Sequence, residues 1–271
     1  MRFARTLRLT VPKSSRAPGE ANEDALAHVI RRRYAVFATA DGASQTIFAA
    51  SWAESLVDAL CAVDFDRIRA AVDQQIAWDA FLHEPVRQAA EQFRRRLPSH
   101  LPWYAELSLE RGVAATLLVV IVLRQERRLI ALAIGDSCLA VWSEGNEHVQ
   151  RFPYEAVDSL PRHPWAVVFH IDRVDPAVPA PRTLECPFAR DLDPSAGQSS
   201  GRLFLALMTD ALAEWFLRAY TAGERPHEEL SRLRRRTFAR WVSRQRAAGQ
   251  LRDDDTTLLL ARFSWGRAGA W

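Results

Sequence analysis

Hydrophobic positions along the chain recur in two rhythms, and the rhythm changes in blocks. Phe3 to Val11 alternates apolar and polar residues, the period of a half-buried strand. Pro12 to Glu23 is polar, and Tyr34 to Ala40 (YAVFATA) is a continuous apolar run suited to the middle of a sheet. Beyond Gly42 the step lengthens. Ala49, Trp52, Leu56, Leu60 and Val63 recur every three or four residues and so share one face of a helix. Helical spacing continues from Asp66 to Leu97, with Ile68, Val72 and Ile76 on one side and Arg94, Arg95 and Arg96 at the end. Pro85 is expected to break that stretch, because it has no N–H to return to the preceding turn.

The pattern then switches to β. Ala114 to Leu123 (AATLLVVIVL) and Leu129 to Ile134 (LIALAI) predict a hairpin turning through Arg124 to Arg128, and Leu139 to Trp142 predicts a third strand. Their unbroken hydrophobicity says that both faces are covered. Glu144 to Gly201 is rich in proline and poor in periodicity, which predicts a long irregular segment with one short strand at Ala166 to Ile171. The last third predicts a strand at Leu203 to Met208, a helix at Ala211 to Tyr220 and a closing strand at Thr257 to Phe263. Between them, Pro226 to Ala247 predicts one helix with Leu230, Leu233, Phe238 and Trp241 as its buried stripe and Gly249 as its cap. Two helices after one strand argue against an alternating parallel sheet. The blocks predict an α+β layered domain, antiparallel sheets at the centre and helix pairs outside. No linker-like stretch divides it, so one domain over residues 1–271 is expected.

Composition narrows the function. Of 271 residues 48% are hydrophobic and 25% charged, enough for a sizeable core. The 36 basic and 33 acidic residues nearly cancel, so the net charge of +3 does not describe a nucleic-acid-binding surface. The arginines from Arg232 to Arg246 fall at non-stripe positions of their helix, a solvated face. Cys61, Cys138 and Cys186 lack metal-ligand spacing, and the seven histidines form no HxH or HExxH pattern. The N-terminal residues interleave charge with apolar positions, unlike a signal peptide. The longest apolar run, Val113 to Leu123, is about half of the roughly 20 residues a membrane helix needs. A cytoplasmic protein without a membrane segment is expected.

Candidate chemistry lies where strands stop. Ala40 leads into Asp41, Ile134 into Gly135, Asp136 and Ser137, and Met208 into Thr209 and Asp210, while Asp254 and Asp255 precede the closing strand. Taken singly these are ordinary features. Asp41-Gly42 reads equally as a turn, Asp254-Asp255 as an exposed acidic loop and Asn22-Glu23-Asp24 as a helix cap. If the four ends converge, their carboxylates repel unless cations lie among them. Oxygen ligands without Cys or paired His select magnesium or manganese. Two such ions activate water and stabilise displacement at phosphorus. The residues therefore describe a binuclear phosphate-ester hydrolase.

Six short motifs sharpen this. Asn22-Glu23-Asp24, Ala40-Asp41-Gly42, Gly112 with Ala115-Thr116, Gly135-Asp136-Ser137, Thr209-Asp210 and Asp254-Asp255-Thr256-Thr257 occur in an order that resembles the type 2C metal-dependent Ser/Thr protein phosphatases, bacterial type, from about residue 22 to 263. The resemblance implies a central antiparallel β-sandwich flanked by helix pairs, four layers α-β-β-α. It implies that Asp41 bridges two Mn2+ or Mg2+ ions, that Gly42 offers its carbonyl, and that Asp210 and Asp254 complete the catalytic set. Glu23 and Asp24 would hold metal-bound water, and Asp136, with Glu214 four residues beyond Asp210, would serve a third ion. The implied substrate is a phosphorylated protein, the product of a bacterial Ser/Thr kinase. Departures accompany it. Gly19 stands where the family has a phosphate-gripping arginine, leaving Arg16 as the candidate, and Ala43, Ser44, Gln45 and Ala211 replace expected glycines or histidine. The irregular segment at about 144–201 takes the place of the family's flap but does not read like the usual flap sequence. A non-catalytic, partner-binding relative that keeps the fold is the alternative.

Overall fold

The computed structural model describes residues 2–15, 22–43, 47–187 and 202–264. Strands β1 (Arg2–Val11), β2 (Asp24–Ile30) and β3 (Tyr34–Asp41) open the chain, followed by helices α1 (Ala49–Cys61), α2 (Phe65–Val72), α3 (Trp78–Arg96) and α4 (Trp103–Arg111). A β block comes next: β4 (Val113–Ala115), β5 (Leu117–Leu123), β6 (Arg128–Ile134), β7 (Cys138–Ser143), β8 (Val149–Phe152), β9 (Val167–Phe169), β10 (Arg182–Pro187) and β11 (Arg202–Met208). Helices α5 (Asp210–Thr221), α6 (Pro226–Arg232) and α7 (Arg235–Ala247) precede β12 (Thr256–Ser264).

The described strands form two five-stranded sheets, β1-β12-β11-β7-β8 and β10-β6-β5-β3-β2, with a small β4-β9 ribbon beside them. All the pairings within them are antiparallel. Strand β5 shows why its sequence is apolar throughout. Leu118, Val120 and Val122 face the other sheet, packing in one cluster with Val141, Leu205 and Leu259. Leu117, Val119 and Ile121 face outward and are covered by Trp52, Leu56, Leu82 and Phe93 of α1 and α3. Phe37 and Phe263 meet edge to face between the sheets, 5.9 Å apart. The outer face of the other sheet packs Ala206, Met208, Leu258 and Leu260 under Phe216, Phe238, Trp241 and Val242 of α5 and α7. The result is the expected four-layer α-β-β-α sandwich.

Three local expectations fail. The helix from Asp66 breaks at Asp73–Ala77 rather than at Pro85: Gln74 takes φ +59° and the N–H of Gln75 returns to Ala70 O at 2.8 Å, a left-handed stop. Pro85 lies inside α3. The carbonyl it leaves without a partner, that of Phe81, accepts from Arg67 Nε at 3.2 Å and Nη2 at 3.0 Å instead. The helix expected from Pro226 to Ala247 is divided at Leu233 and Arg234 into α6 and α7. Leu233 to Phe238 is a five-residue step, which a continuous helix would rotate off the buried face, and the break lets both remain buried. The segment expected to be irregular carries β8 and β10 as well as β9, and β10 extends one sheet by pairing with β6.

Candidate functional site

The acids converge because both sheets end at the same place. Asp41 closes β3 and Asp24 opens β2, and the two are register partners. Thr116, at the step between β4 and β5, fixes the backbone of Asp41 from both sides: its N–H donates to Asp41 O at 2.8 Å and its Oγ1 accepts from Asp41 N at 3.3 Å. Gly42 donates its N–H to Glu23 O at 3.1 Å, and a Cβ there would stand 2.8 Å from the carbonyl carbon and oxygen of Ala49. Glycine is therefore required for the chain to pass this close to the start of α1.

Gly135-Asp136-Ser137 is the crossing from β6 in one sheet to β7 in the other. Gly135 has φ +108° and a Cβ would lie 2.6 Å from Thr116, so only glycine fits. Ser137 is buried with its Oγ 3.3 Å from Thr116 Oγ1, a packing role rather than that of an exposed nucleophile. Asp210 follows β11 at the start of α5, where its Oδ1 accepts from the N–H of Ala211. The preceding Thr209 ties the two sheets together: its hydroxyl donates to Asp24 Oδ2 at 2.9 Å and accepts from the N–H of Thr257 at 3.1 Å.

Asp254 and Asp255, adjacent in sequence, part company in space. Asp255 is buried, accepting from the N–H of Lys13 at 2.9 Å and of Glu23 at 2.7 Å, which straps the segment before β2 to the β12 entrance. Glu23 is held there by its backbone, and its side chain pairs with Lys13 Nζ at 3.5 Å. Asp254 faces Arg252, whose Nη2 is 3.4 Å from Asp254 Oδ2 and bonded to Asp210 Oδ2, while Nη1 is 3.5 Å from Glu214 Oε2. Glu214 is paired in addition with Arg218.

The electrostatics record the crowding. Burial holds Asp41 protonated well above the carboxylate range, and repulsion from Asp24, Asp210, Asp136 and Asp254 adds to it. Burial likewise raises Asp24 to about 8 and Asp136 to about 7, with Asp210 adding repulsion at both. Asp210 is raised by burial too, though the Arg252 guanidinium opposes the shift. Asp24 Oδ1 and Asp136 Oδ1 are sealed from solvent and have no hydrogen-bond partner. Buried carboxylate oxygens without donors are costly unless a cation completes them.

Asp24, Asp41, Asp136, Asp210 and Asp254 are thus gathered at one edge, with Glu214 joined through Arg252 and Glu23 through its backbone. Among the described residues no three His, Cys, Asp or Glu side chains are already closed around a common point as a cation-binding group. Arg16, Gly19, Ser44 and Gln45 lie outside the described residues. Sequence reasoning missed Arg252, Lys13 and the strap made by Asp255. A lone basic residue beside three consecutive aspartates was the available signal for the first.

Comparison with known proteins gives this architecture a class. Residues 13–156, slightly over half of the chain, match the family model described as protein phosphatase 2C. The chain belongs to that family. The sequence matches no curated protein. Similar solved structures include the serine/threonine phosphatase Stp1 from Staphylococcus aureus, 14% identical with a TM-score of 0.59, covering 97% of this chain and 95% of that one. Another is the Mycobacterium tuberculosis serine/threonine phosphatase PstP/Ppp, 19% identical with a TM-score of 0.56, covering 96% and 98%. A third is a PstP catalytic domain in complex with two manganese ions, 17% identical with a TM-score of 0.54, covering 97% and 99%. These likenesses are of fold.

Proposed function

We propose that this chain is a metal-dependent phosphoprotein phosphatase acting on phosphoserine or phosphothreonine, with residues 1–271 as one catalytic domain and the 144–201 segment as its flap. The observation that carries this reading is the convergence of Asp24, Asp41, Asp136, Asp210 and Asp254 from both sheets, two of them with sealed, unpartnered oxygens. The donors are all oxygens, which suits Mn2+ or Mg2+ over zinc. Asp41, the Gly42 carbonyl, Asp210 and Asp254 would hold two ions, Glu23 and Asp24 would act through water, and Asp136 with Glu214 would serve a third. When bound, such ions lower the pKa of water and offset charge on the phosphate.

The remaining work belongs to the chain. Thr116 fixes the backbone from which Asp41 projects and Thr209 holds the Asp24 carboxylate itself, so this part of the site is ordered before substrate arrives. Residue 43, after the Asp41-Gly42 turn, is alanine, so the departing serine or threonine oxygen takes its proton from solvent. Arg16 is the candidate for the phosphate. The partners fitting this chemistry are phosphorylated proteins made by a bacterial Ser/Thr kinase, encountered in the cytoplasm. Among the described residues no helix is long and apolar enough to cross a membrane.

Hydrolysis of a small aryl phosphate and of phosphoserine and phosphothreonine peptides in manganese tests the proposal. Turnover should vanish with excess chelator and in Asp41→Asn. A second reading, a partner-binding relative without catalysis, is favoured by Arg252 lying across Asp210 and Asp254. Manganese binding without turnover on any of these substrates would select it.

A further inference from the structure

The cation that the structure itself supplies to the acidic edge is Arg252. Its guanidinium touches Asp210 Oδ2, stands 3.4 Å from Asp254 Oδ2 and reaches Glu214 Oε2 at 3.5 Å. We propose that Arg252 is a resident counter-cation of the Asp210–Asp254–Glu214 face, which a divalent metal ion must displace in order to bind there. This rests on the metal-dependent reading above and adds to it that the metal requirement of this chain is set by an exchange of one cation for another.

The geometry supports exchange rather than coexistence. Asp210 Oδ2 and Asp254 Oδ2 have lone pairs for more than one partner, but a guanidinium and a divalent ion brought to the same oxygens repel each other, which disfavours joint occupancy. The guanidinium is also an incomplete solution. It bears one charge and reaches one side of the cluster, while Asp24 Oδ1 and Asp136 Oδ1 stay sealed and unpartnered. Leaving is feasible, because the Arg252 side chain is 48% exposed and belongs to the connection between α7 and β12, so no helix or sheet bond is lost when it swings out. Half-exposed ion pairs are weak enough to be exchanged. The ligand-bearing backbone would stay in place meanwhile: the Arg246 side chain, 12% exposed, donates to Asp254 O and, at 3.1 Å, to Thr256 Oγ1.

The test is calorimetric titration of Mn2+ into the metal-stripped full chain, comparing wild type with Arg252→Gln and Arg252→Lys. Displacement predicts several-fold tighter binding in Arg252→Gln, with Arg252→Lys, which keeps the charge, lying between it and wild type. A merely structural arginine predicts the opposite sign, since its loss would loosen the Asp254 turn and weaken binding. Melting in chelator gives a second readout: Arg252→Gln should melt lower than wild type without metal and gain more from manganese. Should the glutamine variant fail to fold, the lysine variant must still bind manganese more tightly than wild type. Equal or weaker binding in the variants overturns the displacement and leaves the metal-dependent reading standing. Binding by the glutamine variant alone supports displacement and removes the metal-dependent reading from the wild type. If neither binds manganese, both fall.

Discussion

Asp24 and Asp136 show how single residues record the whole site. Burial raises both, Asp24 from 3.8 to about 8 and Asp136 to about 7. In the metal-free protein they keep protons that the unfolded chain has already lost. The folded state therefore binds more protons than the unfolded one from about pH 4 to about pH 8, and its stability falls as pH rises through that window. Thermal unfolding in chelator should occur at a lower temperature at pH 8 than at pH 6. Asp136→Asn removes one of the titrating charges, so it should flatten this slope and stabilise the metal-free protein at pH 8 by about 1–2 kcal/mol. A slope unchanged in the variant would separate Asp136 from the cluster. Gly42 offers a steric test at the same scale. A methyl group there meets the backbone of Ala49 at 2.8 Å, which no side-chain rotation relieves. Gly42→Ala should cost about 1–3 kcal/mol in denaturant unfolding, and it should weaken manganese binding by moving the Gly42 carbonyl. Full stability in that variant would show that α1 can retreat.

At the scale of elements, what the sequence could disclose depended on whether a partner was near in the chain. The β3 and β5 runs, the Trp52 stripe of α1 and the α5 helix announce themselves through period alone. β2 does not, because DALAHVI is half-buried at most positions and offers neither clean alternation nor an apolar run. The aspartates were visible since each borders a strand, but the pairing of Arg252 with Asp210 spans 42 residues and that of Asp255 with Lys13 spans 242. No local pattern encodes such contacts. Pro85 is the sharpest instance. Its rule for breaking helices is sound, yet Arg67, from α2, supplies the donors that Phe81 O lost and also bonds Ala80 O at 2.8 Å. Arg67→Ala should leave that carbonyl unsatisfied and cost about 1–3 kcal/mol. In the background of Pro85→Ala, whose new N–H can take the same carbonyl, the penalty should shrink, a coupling that a double-mutant cycle measures. Strict additivity would mean that Arg67 acts through something other than the proline.

For the molecule as a whole, the acidic edge is a seam between two sheets. Asp24 and Asp41 come from β2 and β3 of one, Asp210 and Asp254 from the ends of β11 and β12 in the other, and Asp136 from the crossing between them. Without metal these charges oppose the packing that Phe37, Leu205 and Leu259 achieve between the sheets. A cation held from both sides would reverse that opposition and act as a clasp across the sandwich. Metal that binds only the folded state adds about 2.7 kcal/mol when its free concentration is roughly a hundred times the dissociation constant. The midpoint of thermal unfolding should therefore rise as manganese is added, as one transition rather than two. Because the clasp joins both sheets, amide exchange should slow in β3 and in β11 together. Slowing confined to one sheet would show that the ions attach to one wall of the seam. A midpoint indifferent to manganese would mean that the carboxylates, though gathered, hold no metal, and the metal-dependent reading would fall.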